Sequence, residues 1–236
     1  MDTEIAASFT SRILYEDNHL IIVNKLPSEI VQGDKTGDMP LADLVKAYIA
    51  QKYQKPGNVF LGVVHRVDRP VSGAVIFART SKGLARLNEM LQRREIAKKY
   101  WAVVKNKPPE KSGKLVHSLK KNEKQNKSYV LKEGAPGSKI AELWYKVLGE
   151  SQRYYLVEVE LITGRHHQVR AQLSAIGCPV KGDLKYGFDR SNKDASIHLH
   201  ARELRFLHPV KKTQINIIAP TPNDALWTLF EKNNPS

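Results

Sequence analysis

Residues 65–73, HRVDRPVSG, decide the fold, because two short apolar runs enclose this polar loop. VFLGVV precedes it at 59–64, and AVIFA follows it at 74–78. Runs of five or six residues rich in Val, Ile and Phe are typical of buried strands. The sequence therefore predicts a loop between two buried strands, in which Asp68, flanked by Arg66 and Arg69, projects from a rigid scaffold.

Composition narrows the class of partner. The chain has 236 residues, a formal net charge of +14 and a pI near 9.7, which favours polyanions such as nucleic acid. No apolar run is long enough to span a bilayer, and the opening MDTEIAASFTSR lacks the apolar core of a signal peptide. The single Cys178 allows no internal disulfide and suits a reducing compartment. We expect a cytoplasmic protein that binds nucleic acid and no membrane.

Outward from the loop, strand patterns outnumber helix patterns. Strands are predicted in ILYEDNHLIIVNKL (around an Asp17-Asn18 turn), KKYWAVV, AELWYKVL, YYLVEVELI, SIHLHARELRF and TQINIIAP. Helices are predicted in LADLVKAYIAQKY, after a Thr80-Ser81 cap, in TGRHHQVRAQLSAIGCP and in NDALWTLFEK. Short turns join most neighbours. The fold class is therefore predicted as α+β, with a large, mostly antiparallel or mixed sheet.

The segment 105–137 differs from the rest in composition. Between residues 111 and 127 six lysines, among them Lys120, Lys121 and Lys124, meet one acid, Glu123. The segment is either a solvated basic excursion or a hairpin or long loop that lies along a phosphate backbone. Because strand patterns continue on both sides, it is not predicted to be a domain linker.

Asp68 has two interpretations. An acid among arginines is often a plain ion pair, here with Arg66, Arg69 or a distant arginine. Alternatively, a neighbouring guanidinium keeps the carboxylate ionised while apolar walls exclude water, which suits a nucleophile or a base. The Ser72-Gly73 pair permits a tight backbone beside it.

Other kinds of chemistry lack their motifs. Zinc would need three or four converging ligands; His198 and His200 alternate on a predicted strand, but neither an H-E-x-x-H nor a C-x-x-C motif occurs. Phosphate-cradling glycine loops and the G-x-S-x-G elbow are also missing. In TGRHHQVRAQL, Arg165 and Arg170 flank His166 and His167 at a predicted helix start, where anions are attracted.

Five motifs occur in a fixed order: HRVDRPVSG, KKYWAVV, TGRHHQVRAQL, GDLKYG and HLHARELRFLHP. In that order they resemble the RluA-type RNA pseudouridine synthases, and the resemblance runs from YEDNHLIIVNKLPSEIV to the last helix. It implies a central mixed, largely antiparallel sheet with helices and loops around an RNA-binding cleft. It also implies one catalytic domain over 1–236 and a short member of the family without the small S4-like RNA-binding domain.

The resemblance implies catalytic roles as well. Asp68 matches the essential aspartate, Arg170 the arginine that pairs with it, and Tyr100 the aromatic residue that packs on the target base. Arg66 matches the residue that fills the space left by the flipped nucleotide. We further expect RNA contacts from basic side chains near these motifs: Arg66, Arg69, Arg165, His167, Lys120, Lys121 and Lys124. Neither a metal nor a cofactor is expected.

The chain departs from the family pattern at a few positions. Val67 stands where HRLD has leucine, and Val71 stands where a threonine is usual, while Pro70 stiffens the loop. RAQL also replaces the more common RVHL. Hydrogen bonding around Asp68 is therefore expected to differ from that of relatives.

Two other functions compete with the enzyme. One is a catalytically silent RNA-binding protein or RNA chaperone on the same scaffold, although binding alone does not require an acid that repels phosphates. The other is a metal-dependent RNA-processing enzyme that uses His198, His200 and a carboxylate. We expect an isomerase that acts on structured ribosomal or transfer RNA, as a monomer.

Overall fold

The computed structural model describes residues 9–234 and divides into two compact units. The first comprises residues up to Ile96 together with Ala201–Pro220, and the second comprises Ala97–His200 together with the segment from Thr221. The first unit is thus built from two separate segments of the chain, a long one and the short segment Ala201–Pro220.

In the first unit, mostly apolar strands form a sheet. Strand β2 pairs with β1 and with β4, while β10 lies on the other side of β4 and pairs with β11. The strands are β1 (Ile13–Glu16), β2 (Leu20–Lys25), β3 (Gly62–Val63), β4 (Ser72–Ala78), β10 (Leu199–Leu207) and β11 (Gln214–Ile218). Every residue of β4 is buried, as its continuous apolar pattern predicted.

The helices of the first unit are α1 (Leu41–Lys52) and α2 (Ser81–Gln92). The hydroxyl of Thr80 accepts a hydrogen bond of 3.0 Å from the Gly83 amide, so the predicted cap of α2 is confirmed. The core of this unit combines β2 and β4 with the inward face of α2, where Leu87 is fully buried. Asp17 also forms the predicted turn, since its carboxylate accepts from the amides of His19 and Leu20.

The prediction for residues 59–64 was largely wrong. Only Gly62 and Val63 pair as a strand, opposite Ala78 and Phe77, and Phe60 is 49% exposed. The reason is tertiary: β2 and β10 flank β4, so only the last residues of β4 remain for β3. The loop 65–73 therefore follows a two-residue strand rather than a long buried one.

The second unit contains a five-stranded antiparallel sheet in the order β5-β9-β8-β6-β7. Its strands are β5 (Ala97–Val104), β6 (Ser112–Asn122), β7 (Lys127–Leu131), β8 (Lys139–Glu150) and β9 (Tyr155–Leu161). The basic segment 105–137 thus contains the hairpin β6–β7. The segment therefore forms a hairpin rather than a long loop, and its contact with a phosphate backbone stays a prediction.

Short helices pack on this second sheet. They are α3 (Gln168–Ala175), the 3₁₀ turn Leu184–Tyr186 and α4 (Ala225–Asn233). Trp227 and Phe230 of α4 pack on Trp101 and Leu156, while Ala171 of α3 packs with Leu119 and Ala141. Asp224 caps α4 by accepting from two amides of its first turn. The prediction of an α+β fold with a largely antiparallel sheet and surrounding helices is confirmed.

Candidate active site

The loop that carries Asp68 is held by its own backbone. The Asp68 carbonyl accepts a hydrogen bond of 3.0 Å from the amide of Val71, which closes a turn. The Arg69 carbonyl accepts one of 2.9 Å from the amide of Ser28. His65 Nε2 accepts from the Ile76 amide at 3.1 Å, which ties the start of the loop to β4. The carboxylate of Asp68 therefore projects from a braced turn, half-buried.

A buried lysine supports this turn from β2. Lys25 is fully buried, and its Nζ donates to the carbonyls of Arg69 (3.0 Å) and Leu26 (2.9 Å). Burial lowers the pKa of Lys25 to about 7, although the negative charges of Glu29 and Asp68 act in the opposite direction. Sequence analysis missed this residue, and the available signal was a lysine that ends the apolar run LIIVNK.

Gly73 at the end of the loop is required by shape. It has φ of +112°, and a Cβ there would lie 2.5 Å from the backbone nitrogen of Ala201. No other residue fits at that distance, because the obstacle is backbone rather than a flexible side chain. The close approach confirms the tight backbone that Ser72-Gly73 predicted, and it fixes where the Asp68 loop joins β4.

The arginines beside Asp68 face outward. Arg69 is exposed and pairs with Asp38, with 2.6 Å between Nη2 and Oδ2. Arg66 is also exposed. Asp68, Arg66 and Arg69 all belong to the first unit.

Tyr100 and Arg170 belong to the second unit. Tyr100 is buried in β5, opposite Val159 of β9. Lys98 occupies the same face of β5 two residues earlier, and burial lowers its pKa. The expected pairing of Arg170 with Asp68 stays a prediction.

Arg170 has a partner that sequence analysis missed. Its Nε and Nη2 donate to the two carboxylate oxygens of Asp183 at 2.7 and 2.8 Å, and both side chains are at most 5% exposed. Its guanidinium carbon lies 5.0 Å from the centre of the Tyr186 ring. Asp183 and Tyr186 both belong to the motif GDLKYG, for which the sequence predicted only a turn.

The two adjacent histidines lie at the start of α3. His167 has φ of +52° and its ring stacks on His166 at 3.8 Å between centroids. His167 is 9% exposed, and its Nδ1 lies 3.0 Å from the Tyr186 hydroxyl. His166 instead lies against the hairpin, with its ring nitrogens 2.9 Å from Ser128 Oγ and 3.1 Å from Asn126 Oδ1. The predicted RNA contact of His167 stays a prediction.

The basic residues predicted to bind RNA lie largely on the surface. Lys120 donates to the Pro136 carbonyl, Lys121 pairs with Glu123 at 2.6 Å, and Arg165 Nε donates to the Ile140 carbonyl. Lys124 is exposed near the hairpin tip. The residues that they contact, Glu123, Pro136 and Ile140, are all exposed.

The histidines weighed as metal ligands have other contacts. His198 stacks on Trp227, and its Nε2 lies 3.1 Å from the Asp224 carboxylate. Burial lowers the pKa of His198. His200 lies against the same Trp227 ring. In the part of the chain that the structure describes, no three His, Cys, Asp or Glu side chains are grouped so that they could hold a metal ion.

Within residues 9–234, no helix combines the length and the apolar character needed to cross a membrane.

Comparisons with known proteins point in one direction. The family model described as RNA pseudouridylate synthase matches residues 19–175. The ribosomal large subunit pseudouridine synthase C of Buchnera aphidicola (subspecies Schizaphis graminum) is 30% identical over 230 residues, which are 93% of this chain and 70% of that protein. An uncharacterized RNA pseudouridine synthase of Bacillus subtilis, YhcT, is 33% identical over 218 residues, 90% of this chain and 69% of its own length.

The fold has solved counterparts. The human RNA pseudouridylate synthase domain containing 4 superposes with a TM-score of 0.78 at 23% identity, over 98% of this chain and 95% of that one. The human RNA pseudouridylate synthase domain containing 1 superposes with a TM-score of 0.65 at 20% identity, over 95% of each chain. At these identities the likeness concerns the fold. Taken with the sequence matches, it leads to one conclusion: this chain belongs to the RNA pseudouridylate synthase family, as an RluA-type enzyme that isomerises uridine in RNA.

Proposed function

We propose that this chain isomerises specific uridines of structured RNA, ribosomal or transfer RNA, by flipping the base and using Asp68, without metal or cofactor. A ribosomal substrate is supported by the printed names of the relatives, several of which are ribosomal large subunit pseudouridine synthases. The net charge of +14 supports binding to a polyanion.

The observation that carries the proposal is the bracing of the Asp68 turn. A reacting group must be held near its productive position, and side chains on rigid, well-supported backbone achieve this. Two carbonyls of the turn have fixed donors, one of them the fully buried Lys25, and Gly73 locks the exit of the loop against Ala201. A surface ion pair would not need such support.

The reaction is an isomerisation whose atoms balance within the substrate. The N1–C1′ bond breaks, the uracil turns, and C5 bonds to C1′; C5 loses a proton and N1 gains one. Asp68 begins this sequence, either by attacking the ribose or by removing a proton from it. A carboxylate in either role must be oriented toward the ribose.

The target nucleotide must leave its helix before a side chain reaches it, at a cost of a few kcal/mol. Arg66, exposed beside Asp68, fills the vacated space, and Tyr100 packs on the extruded base. Arg170 orients Asp68. Contacts to phosphate come from Arg69, Arg165 and His167, and from Lys120, Lys121 and Lys124 of the hairpin β6–β7.

The location of the protein is part of the proposal. A cytoplasmic enzyme is supported by the ribosomal names of the relatives and by the single cysteine, Cys178. A single catalytic domain over 1–236 and a monomeric state stay predictions from the sequence.

The test is release of tritium from RNA labelled at C5 of uridine, with ribosomal and transfer RNA transcripts compared side by side. We expect release by the parent protein and none by Asp68→Asn, with equal RNA affinity. Asp43→Asn is the matched control, since Asp43 is an exposed acid of α1 paired only at the surface with Lys46. If Asp68→Asn released tritium at the parent rate, the role of this residue would be refuted.

A further inference from the structure

The motif GDLKYG, residues 182–187, has an architecture beyond that of a turn. Gly182 has φ of +88°, and a Cβ there would lie 2.8 Å from the Ser196 carbonyl oxygen. The Asp183 carbonyl accepts from the amides of Tyr186 (3.1 Å) and Phe188 (3.0 Å), which closes the 3₁₀ turn. The backbone therefore sets both Asp183 and Tyr186 with little freedom.

Both carboxylate oxygens of Asp183 accept hydrogen bonds from Arg170. The two parallel contacts of 2.7 and 2.8 Å match the fork of the guanidinium to the fork of the carboxylate, a geometry with strong directional preference. A guanidinium has five N–H donors, and this pair engages Nε and one hydrogen of Nη2. With that edge fixed, the direction in which Nη1 points is also fixed.

Tyr186 supports the same guanidinium from its face and connects it to the hairpin. The ring lies 5.0 Å from the Arg170 guanidinium carbon, and Lys127 Nζ lies 5.1 Å from the ring. The Tyr186 hydroxyl accepts from the amide of Ser128 at 2.8 Å and lies 3.0 Å from His167 Nδ1. Ser128 belongs to β7, so the basic hairpin and Arg170 share one buried anchor.

We propose that Asp183 and Tyr186 are positioning residues for the isomerisation: they clamp Arg170 in one orientation, and Tyr186 couples that orientation to the hairpin. This inference rests on the proposed function, in which Arg170 orients Asp68. Neither residue touches the uridine. A change in either slows the chemical step by letting Arg170 turn, and leaves the RNA affinity of the surface lysines nearly intact.

The first test is Asp183→Asn, assayed by single-turnover tritium release at saturating RNA and by RNA binding. Losing the paired charge lets the guanidinium rotate, and a displacement of about 1 Å at a reacting group costs about 100-fold in rate. We therefore expect a rate about 100-fold lower and a Kd within about threefold of the parent value. Asp189→Asn is the control, because Asp189 lies six residues later in an exposed pair with Lys105.

A purely structural role is separated from positioning by combining variants. If Asp183 acts through Arg170, the double variant Arg170→Lys with Asp183→Asn is no slower than Arg170→Lys alone. If the two residues acted independently, or only through stability, the rate reductions of the two single variants would multiply in the double variant. All rates are taken at a temperature where circular dichroism shows the variant fully folded.

Tyr186→Phe tests the clamp if Asp183→Asn fails to fold. It keeps the ring and the ion pair and removes only the hydroxyl, which contacts Ser128 of β7 and His167, so we expect a rate about tenfold lower. A parent-like rate for Tyr186→Phe or for a folded Asp183→Asn would refute the positioning role of these residues and leave the proposed function standing. Absence of release by the parent on every RNA would overturn the proposed function, and the clamp with it.

Discussion

Lys25 makes the stability of the protein depend on pH in a range where few groups titrate. The side chain is fully buried, and burial lowers its pKa from 10.5 to about 7. Between these values the unfolded chain binds more protons than the folded one, so the free energy of unfolding rises with pH. The slope is about 1.4 kcal/mol per pH unit, and the charging cost below pH 7 is about 5 kcal/mol.

The assay is urea unfolding of the parent and of Lys25→Met at pH 7.5 and pH 9. Between pH 7.5 and pH 9, Lys25 should raise the free energy of unfolding of the parent by about 2 kcal/mol. The methionine of Lys25→Met does not titrate and should contribute no such increase. Other groups titrate equally in both proteins, so the difference between the two changes isolates this residue. The control is Lys46→Met, because the Lys46 side chain on α1 is only partly buried; this variant should respond to pH as the parent does.

An equal pH response in the parent and in Lys25→Met would refute the reasoning, because it would mean that the lysine keeps an ordinary pKa. The same variant reports on the active site. Methionine removes the Nζ donor from the Leu26 and Arg69 carbonyls, and the Arg69 carbonyl keeps the Ser28 amide as its donor. The Asp68 turn should therefore loosen, with slower tritium release even at pH 9.

Three further changes have defined outcomes. Gly73→Ala places a Cβ against the Ala201 backbone at positive φ, so it should lower the free energy of unfolding by at least about 3 kcal/mol; a parent-like urea midpoint would contradict the packing. Thr80→Ala removes the cap of α2 and should cost about 1 kcal/mol, while Ser81→Ala, which caps nothing in the described contacts, should cost little. Lys124→Ala should weaken RNA binding and reduce the slope of log K against log salt by about 0.9, which an unchanged salt slope would disprove.

Local patterns predicted most of the secondary structure. Thr80 and Asp224 begin helices because a short polar side chain that satisfies amides of the first turn is a local device, readable from the sequence. Gly177, at φ of +76°, follows α3 for a similarly local reason. The apolar runs of β4 and β5 identify buried strands wherever they pack.

Prediction failed where a neighbour distant in the chain decides the outcome. Residues 59–64 carry an apolar pattern like that of AVIFA, yet only two of them form a strand, because β2 and β10 already flank β4. No local feature of VFLGVV contains that information.

For the site, the sequence by itself predicts which groups carry chemistry: the ordered motifs, through their resemblance to the RluA-type pattern, indicate Asp68, Tyr100 and Arg170. Tertiary structure alone decided which groups hold them. Lys25 reaches the carbonyl of Arg69 across 44 residues, and Asp183 reaches Arg170 across 13. Both supporting residues are buried and ionisable, and a buried polar group is stable only with partners that folding brings to it, so its role becomes visible only once those partners are in place.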